Sequence, residues 1–392
     1  MTFQHHSAEL RLHCGDDALA ALPRELDRLG CRRAVVFCGT TLSRPGGALD
    51  LVAKVLGERM AGAYRGVQGH SPVGSVEEGA ACLADTQADA VVALGGGSAI
   101  VTARAAGILA AEGGRVEDLA SRIASGGRTH SPRLEKPKLP QFVLPTTPTT
   151  ACVKAGSAVH GGDGERLALF DPKTRAKAVV IDHALLATAS EPLVRAAALN
   201  ALAMAVEGLE SESSDPLSDA LLIHALRLLA QHLPPEGDGA QDPQRRAQLV
   251  LAAVMCGRGT DQAGGGLASV LGHAIGHRSH VPNGIVNAIV LPHTLRFNLP
   301  ATRERLWKLR ASLPGADAAA DAGDAQHSHP AIDALDNLLR GLGLPAGLRD
   351  TGLRREDFDV VVKDAGADHF LRRNPRRVES DAQLHALLDA AW

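Results

Sequence analysis

The chain is poor in aromatic residues and shows almost no imbalance of charge. Phe, Trp and Tyr make up 3% of its 392 residues, so its cores must be packed mainly by Ala, Leu and Val. Its 41 Lys and Arg against 44 Asp and Glu leave a formal net charge of −3. That balance gives no sign of a nucleic-acid partner or a membrane surface. The length allows two domains with sizeable cores.

The cysteines argue against a disulfide-linked or zinc-binding protein, and the apolar segments argue against a membrane protein. Six cysteines are scattered along the chain without a C-x-x-C pair, which favours reduced thiols over a disulfide framework or a zinc motif. No uninterrupted apolar stretch approaches the length of a membrane span, and residues 1–6 lack the pattern of a secretory signal. We therefore expect a cytoplasmic protein.

Strands and helices alternate in the first half of the chain. Short apolar runs predict strands, and longer periodic segments predict helices. The predicted strands cover residues 33–38, 88–95, 142–144 and 178–181, and the predicted helices cover residues 17–29, 48–62 and 75–86. Alternation of this kind predicts a parallel sheet with helices on both faces. A polar stretch at residues 121–138 is interpreted as a surface insertion.

The second half is rich in Ala and Leu at helical spacing. Predicted helices cover residues 193–210, 216–233, 243–256 and 267–277. The change of texture predicts an α/β domain over residues 1–185 and an all-helical domain over residues 186–392. A stretch rich in Gly, Ala and Asp at residues 313–326 is interpreted as mobile.

A glycine-rich turn is the strongest local signal for function. The apolar run 88–94 ends in Gly95-Gly96-Gly97-Ser98, and an Ala-rich helical stretch follows. A strand-to-helix turn of this kind lets the backbone approach a pyrophosphate, and the helix N-terminus adds free N–H groups and a positive dipole end. The spacing fits neither G-x-G-x-x-G nor the Walker motif, so other segments must identify the family.

Several motifs together resemble the iron-containing (group III) alcohol dehydrogenases, which include the maleylacetate reductases. The similarity extends nearly from end to end. The motifs that carry it are Gly95 to Ser98, Leu144-Pro145-Thr146-Thr147, residues 200–207 (NALAMAVE), Pro282-Asn283-Gly284, residues 288–293 (AIVLPH), Leu342-Gly343-Leu344-Pro345 and Asn374-Pro375-Arg376-Arg377. His70-Ser71-Pro72-Val73 is more similar to the maleylacetate reductase branch.

The resemblance implies an N-terminal dinucleotide-binding domain, an all-helical C-terminal domain and an active site in the cleft between them. It also implies hydride transfer between NAD(P)H and a small carbonyl or alcohol, and a homodimer. The cofactor-binding positions that it implies are Gly39, Thr40, Gly95, Gly96, Gly97, Ser98, Thr146, Thr147, Thr149 and Arg166.

The same resemblance shows where the chain departs from its family at the metal site. The family's usual ligands are one Asp and three His. With the register fixed on Pro282 and Gly284, the corresponding residues are Asn200, Met204, Ser269 and Asn283. Maleylacetate reductases have the Asn but keep the His residues. Asn, Ser and Met are weak ligands for a divalent metal, so we expect no family-type metal.

An alternative metal site is open in the neighbouring sequence. His273 and His277 are four residues apart, and His280 follows, so the three imidazoles could face one way from a helix. No carboxylate lies near them at ligand spacing, which favours the interpretation of His277 and His280 as ordinary cleft or surface residues.

The cofactor motif is altered too. The family continues its glycine turn with Asp and, three residues later, Lys, and these positions are Val101 and Arg104. Arg104 can still supply positive charge in place of that Lys, but the Val101 side chain cannot accept hydrogen bonds, so weakened or changed dinucleotide binding is expected. Gly39 replaces an acid that meets the adenosine ribose and would repel a 2′-phosphate, which favours NADP(H) over NAD(H). Arg44 is either a partner of that phosphate or a solvated surface residue.

Cys152 stands where the family has Glu. A thiol close to the expected active site is either reactive or a small buried hydrophobe, and the absence of a neighbouring His in sequence favours the second interpretation.

The sequence therefore predicts a metal-independent reductase of a small carbonyl or enoyl acid, similar to maleylacetate reductase, or an enzyme that oxidises an alcohol. His273 would donate the proton, and Asn200, Asn283 and Ser269 would hold the substrate oxygen. His277 or Arg278 would bind a substrate carboxylate. Two alternatives remain: a non-redox enzyme that uses His273 and His277, and a non-catalytic homologue.

Overall fold

The computed structural model describes residues 2–123, 129–162, 165–233, 237–276, 278–279, 281–313 and 329–392. The chain forms two compact units. The α/β unit consists of Ser7–Ser190 and Gln241–Val250, and the helical unit consists of Met1–His6, Glu191–Ala240 and Leu251–Trp392. The first long helix of the helical unit begins at Glu191. Residues 1–6 thus belong to the helical unit and residues 241–250 to the α/β unit, whereas a single division at residue 185 would assign them the other way round.

The α/β unit is built on a six-stranded sheet, within the described residues, in which every pairing is parallel. The strands of the unit are β1 (Arg11–Gly15), β2 (Ala34–Phe37), β3 (Met60–Tyr64), β4 (Ala90–Gly95), β5 (Arg122–Ile123), β6 (Thr129–His130), β7 (Gln141–Pro145), β8 (Gly156–His160), β9 (Arg166–Phe170) and β10 (Ala176–Asp182). The order in the large sheet is β1-β10-β7-β4-β2-β3, and β5-β6 and β8-β9 form two antiparallel pairs.

The order of the strands reverses beside β4. The chain passes from β2 outward to β3, returns to β4 beside β2, and then continues to β7 and β10 on the other side. Ligands of open α/β sheets bind outside the carboxyl ends of the strands at such a reversal. The carboxyl ends of β2 and β4 lead into Gly39 and Gly96, so the topology alone points to this edge.

Helices connect the parallel strands. They are α1 (Leu22–Arg28), α2 (Ala48–Leu56), α3 (Val73–Asp85), α4 (Gly97–Glu112), α5 (Val116–Leu119) and α6 (His183–Leu186). One side of the sheet packs on α1 and α2 through Ala, Val and Leu with Phe142 as its aromatic residue. Phe37 lies against α3, where a Cβ on Gly79 would be 2.7 Å from its ring. The small-residue core expected from the low aromatic content is confirmed.

One predicted helix is wrong in its second half. The helix expected over residues 48–62 ends at Leu56, because Gly57 adopts a positive φ of 54°. Residues Met60–Tyr64 form β3 instead and pair with β2. The sequence of β3 is Met-Ala-Gly-Ala-Tyr, which lacks β-branched residues, so pairing rather than local propensity makes it a strand.

The helical unit contains the second set of helices. They are α7 (Glu191–Glu210), α8 (Pro216–His232), α9 (Pro243–Ala263), α10 (Leu267–Gly276), α11 (Asn283–Thr302), α12 (Trp307–Arg310), α13 (Pro330–Arg340), α14 (Phe358–Ala367) and α15 (Asp381–Ala390). The first residues of α9 belong to the α/β unit. The described part of the helical unit contains no strand, which confirms the predicted all-helical second domain.

Three of these helices, α7, α10 and α11, pack on one another. The contact of α7 with α11 is so close that a Cβ on Gly284 would be 1.8 Å from the carbonyl oxygen of Ala196. Only glycine permits this approach. It brings the segments that carry Asn200, Ser269 and Asn283 into one region.

In the part of the chain that the structure describes, α7 alone is long and apolar enough to cross a membrane by length and composition. Since 67% of its apolar window is buried, it also fits the core helix of a folded unit. The stretch interpreted as mobile, 313–326, lies outside the described residues except for Leu313.

Candidate active site

The glycine-rich turn at the end of β4 has the shape of a nucleotide cradle. Gly95 has φ of +140°, a conformation that L side chains rarely adopt. A Cβ on Gly96 would be 3.0 Å from the hydroxyl oxygen of Thr147, and a Cβ on Gly97 would be 3.2 Å from that of Thr149. The turn therefore lies directly beside both threonines, and side chains on it would fill the cradle.

The start of α4 adds the electrostatic part of the cradle. Helix α4 is 16 residues long and begins at Gly97, and its N-cap Gly96 brings no side-chain hydrogen bond to the first turn within the described structure. First-turn N–H groups of a helix have no partner inside the helix. Since the dipole end there is also positive, the turn and the helix fit a pyrophosphate.

Three of the remaining predicted cofactor residues, Gly39, Thr40 and Thr146, lie along the same edge of the large sheet. Gly39 and Thr40 follow β2, which pairs with β4. Arg166 stands opposite His160 in the β8–β9 hairpin. The hairpin is tied to the turn because the His160 N–H donates to Ser71 O at 3.2 Å, and the Ser71 hydroxyl donates to Ser98 O at 3.2 Å. The α/β unit therefore gathers all the predicted cofactor positions, with Thr146 buried next to Thr147.

Arg104 does not face the cradle. Its side chain is 2% exposed, and its guanidinium donates to the carbonyl oxygens of Gly156 and Ala151, both at 2.7 Å. The expectation that Arg104 supplies charge to the cofactor is wrong in this structure, because the side chain ties α4 to β8 and to the turn at residues 150–152. Arg44 is exposed on the surface.

Cys152 is an inert residue. It is fully buried. Burial raises the pKa of its thiol, and the net pKa is about 12 even though the nearby Arg104 guanidinium opposes the rise. A thiol with this pKa is not a nucleophile at neutral pH. The interpretation of Cys152 as a small buried hydrophobe agrees with the geometry.

The side chains at the family's metal-ligand positions in the helical unit bond to the protein. The side-chain amides of Asn200 and Asn287 are 3.0 Å apart. The amide nitrogen of Asn200 lies 3.7 Å from the sulfur of Met204. When its own amide nitrogen points toward α10, Asn287 donates to the carbonyl oxygens of Ala268 and Asn283, both at 3.1 Å. Amide groups thus link α7, α10 and α11.

Ser269 is committed to a buried carboxylate. Its hydroxyl donates to Glu207 Oε2 at 2.5 Å, and its N–H donates to Glu207 Oε1 at 2.7 Å. Asn374 accepts from the N–H of Leu267 at 3.2 Å. Glu207 and Asn374 therefore cap the beginning of α10, which explains two of the motif residues without a catalytic role. Burial raises the pKa of Glu207, and the hydrogen bonds from Ser269 work against that rise.

Asn283 is the first residue of α11, and its side chain occupies space that Gly276 leaves open. A Cβ on Gly276 would be 1.9 Å from the Asn283 side-chain oxygen. Asn283 therefore lies against Gly276, the last residue of α10, which is three residues after His273.

The residues at these positions do not fit an iron ion. Among the described residues no group of three or more His, Cys, Asp and Glu could hold a metal. Asn200 and Ser269 are bonded to Asn287 and Glu207, and Met204 is a soft ligand without a carboxylate beside it. Two members of the alternative set, His277 and His280, lie outside the described residues.

His273 has a carboxylate partner that the sequence did not reveal. Its Nδ1 is 2.8 Å from Asp368 Oδ2, and the two residues are 95 positions apart in the chain. No local pattern marks Asp368, which precedes the Asn374 motif by six residues. Arg278, predicted as a carboxylate-binding residue, donates to Asp364 at 2.6 Å. The structure thus brings His273 together with a buried acid.

A second residue missed in the sequence is Glu210. It is 3% exposed, and burial raises its pKa to about 8. Its Oε2 accepts from Asn298 at 3.3 Å, whereas its Oε1 has no hydrogen-bond partner among the described residues. Glu210 is therefore predominantly protonated at neutral pH.

Comparison with known proteins identifies the family. Residues 10–183 match the model of iron-containing alcohol dehydrogenases, and residues 195–392 match that of the C-terminal part of the Fe-containing alcohol dehydrogenase family. The chain belongs to this family and is an enzyme of the alcohol dehydrogenase and reductase type.

Individual relatives support the same assignment. The chain is 31% identical to maleylacetate reductase 1 of Cupriavidus pinatubonensis over 97% of this chain and 94% of that one. It is 27% identical to the NAD-dependent methanol dehydrogenase of Bacillus methanolicus over 94% and 96%. The solved structure of an alcohol dehydrogenase from Oenococcus oeni has a TM-score of 0.88 at 23% identity, covering 97% of this chain and 98% of that one, which confirms the fold.

Proposed function

We propose that the protein is a metal-independent, NAD(P)H-dependent enzyme that reduces a small carbonyl or enoyl acid or oxidises an alcohol. One observation carries the proposal. The glycine turn at Gly95 to Ser98 fits a pyrophosphate, whereas Asn200 and Ser269, at the positions predicted for the family's metal ligands, bond to protein neighbours. Hydride transfer from a dinucleotide needs the first feature, and the second supports a reaction without the family's usual Lewis acid.

The cofactor-binding residues are those of the α/β unit. When bound, the nicotinamide supplies or accepts the hydride. Gly95 to Ser98 would hold the pyrophosphate, with Thr146, Thr147 and Thr149 beside them. Gly39 and Thr40 would meet the adenosine ribose, and Arg166 would lie toward the nicotinamide ribose. Since no acid stands at Gly39 to repel a 2′-phosphate, NADPH is the favoured cofactor.

The helical unit supplies the groups that polarise the substrate oxygen. His273 gives a proton to that oxygen, and the amides of Asn200 and Asn283 hold it by hydrogen bonds. Ser269 was predicted to share this role. Its hydroxyl proton is directed at Glu207, so we assign Ser269 to the cap of α10. The amide donors carry no charge, so the substrate must be one whose oxygen is polarised sufficiently without a metal ion.

The substrate class rests on the similarity to maleylacetate reductase 1. A carboxylate on the substrate would need a cation, and Arg278 is the described candidate, although Asp364 balances its charge. His277, the other predicted partner, lies outside the described residues. We further propose a cytoplasmic homodimer, which size-exclusion chromatography with light scattering would test.

Elemental analysis of the purified protein, paired with calorimetric titration of NADH and NADPH, is the decisive experiment. We expect no stoichiometric iron or zinc, and saturable binding of at least one nucleotide, with NADPH the tighter. A screen of 2-oxo and enoyl acids against uncharged aldehydes then defines the substrate class. Stoichiometric metal would contradict metal independence and point to the set His273, His277 and His280.

A non-redox enzyme or a non-catalytic homologue is the competing proposal. It is favoured by the loss of charge on the cofactor side, because Val101 replaces an acid and Arg104 is turned inward. The same titration separates the two proposals. Absence of binding of both nucleotides would overturn the reductase and favour the alternative.

A further inference from the structure

His273 and Asp368 form a pair with the geometry of an imidazole held by a buried carboxylate. The Nδ1 atom of His273 and the Oδ2 atom of Asp368 are 2.8 Å apart. The Asp368 side chain is 6% exposed, whereas the His273 side chain is 23% exposed. The acid is thus enclosed by protein, and part of the imidazole remains accessible.

The carboxylate cannot turn freely, because its other oxygen is also occupied. Asp368 Oδ1 accepts from the N–H of Phe370 at 2.9 Å, which caps the short 3₁₀ helix His369–Arg373. The Asp368 N–H in turn donates to Ala365 O at 3.1 Å at the end of α14. His369 Nδ1 lies 3.5 Å from the same Oδ1. Both ends of the residue are therefore anchored.

The ring of His273 is also restrained from one side. Its centroid is 6.0 Å from that of Phe370, with the two planes inclined by 31°. Phe370 itself packs at Gly265, where a Cβ would be 3.1 Å from the phenyl ring. The imidazole is therefore fixed in orientation as well as in hydrogen bonding.

We propose that Asp368 is a positioning residue that keeps a proton on Nδ1 of His273, so that the ring exchanges protons with the substrate through Nε2. This inference rests on the proposed function. In the reducing direction the substrate carbon accepts the hydride of NAD(P)H, the N–H bond at Nε2 of the protonated ring breaks and an O–H bond forms on the substrate oxygen, while the Nδ1 proton stays hydrogen-bonded to Asp368. A carboxylate that orients an imidazole fixes its tautomer and stabilises its charged form.

Asp368→Asn is the primary test. Asparagine can still accept from Phe370, but its amide would present a donor to His273 and favour the opposite tautomer. We expect kcat to fall at least about tenfold with little change in the Kd of NAD(P)H. Long-range ¹H–¹⁵N spectra of histidine-labelled protein, with the His273→Gln spectrum for assignment, should show a proton on Nδ1 in the wild type and on Nε2 in the variant.

Asp359→Asn is the matched control. Asp359 lies on the preceding helix α14 and is also paired with an imidazole, since its Oδ1 is 3.2 Å from His385 Nε2. That carboxylate is 90% exposed, so its removal should leave kcat within about twofold. A second test uses His273→Gln as background, where Asp368→Asn should change kcat less than about twofold.

The possible failures are distinguishable. A purely structural Asp368 would lower stability and kcat in the His273→Gln background as well, which would overturn the inference. A wild-type spectrum with the proton on Nε2 would overturn it without any turnover being measured. If neither nucleotide binds but the proton is on Nδ1, the proposed function fails while the positioning geometry stands.

Discussion

The two units carry their candidate site residues by different means. In the α/β unit the cradle consists of backbone: Gly95, Gly96 and Gly97 bring N–H groups, without side chains, to one edge of the sheet. In the helical unit the site consists of side chains, and Asn200 and Ser269 are bonded to other side chains. A site formed by the backbone keeps its geometry when neighbouring side chains change. A site formed by side chains acquires new hydrogen-bond partners when its residues are replaced.

The largest expected difference between the two units is in the pKa values of one buried glutamate in each. Burial raises the pKa of Glu210 in the helical unit to about 8. In the α/β unit, burial opposes ionisation of Glu25, but hydrogen bonds from Arg11, Arg28 and His13 lower its pKa to about 2. The folded protein therefore holds a proton on Glu210 that the unfolded chain releases near pH 4.3. The free energy of unfolding should fall from about pH 4.5 to 8, by up to about 1.4 kcal/mol per unit.

Urea unfolding of Glu210→Gln between pH 5 and 8 checks this expectation. The variant should lose that part of the slope, whereas Glu25→Gln should keep it, since the contribution of Glu25 is present above pH 4.3 and is lost as pH falls toward 2. Equal slopes in the wild type and in Glu210→Gln would contradict the assignment of a protonated Glu210.

Replacement of Arg104 tests whether its buried guanidinium stabilises the fold or contributes to nucleotide binding. Replacing it with Met leaves the carbonyl oxygens of Gly156 and Ala151 without their donors, so we expect a loss of about 2–4 kcal/mol of stability. Nucleotide affinity, measured by titration at a temperature where the variant is folded, should stay within about twofold. A selective loss of nucleotide binding at unchanged stability would return Arg104 to the cofactor site.

Gly95→Ala tests the backbone site directly. The substitution places a side chain at φ of +140° and 3.0 Å from the Cβ of Ala99, so we expect nucleotide affinity to fall at least about tenfold. Gly113→Ala is the control, because Gly113 ends the same helix with φ of +72° and open space around its Cβ position. Equal losses of affinity in both variants would mean that general strain, not the cradle, is responsible.

Thiol labelling gives the smallest expected effect. Peptide mapping after treatment of the native protein with iodoacetamide should find Cys14, which is exposed, labelled before Cys152. Burial raises the pKa of both thiols, that of Cys152 to about 12. Rapid modification of Cys152 with loss of activity would contradict its interpretation as an inert core residue.

Much of the architecture follows from local pattern. The apolar runs predicted β2, β4, β7 and β10, and the periodic segments predicted α7, α8 and α10 within a few residues. Strand β3 and the β8–β9 hairpin escaped prediction, because Ala, Gly and Ser in these segments become strands only through pairing. The glycine turn was predictable because a close approach to a phosphate needs residues without side chains, and Gly95 has a φ of +140° that L side chains rarely adopt.

The sequence by itself determined the family, the succession of an α/β unit and a helical unit, and the glycine turn after β4, since each is a property of residue type and spacing. Tertiary structure alone decided where side chains point. It turned Arg104 to two carbonyl oxygens, joined Ser269 to Glu207 and placed Asp368 beside His273. Such partners are distant in the chain, and only the packing of helices and strands brings them within hydrogen-bonding distance.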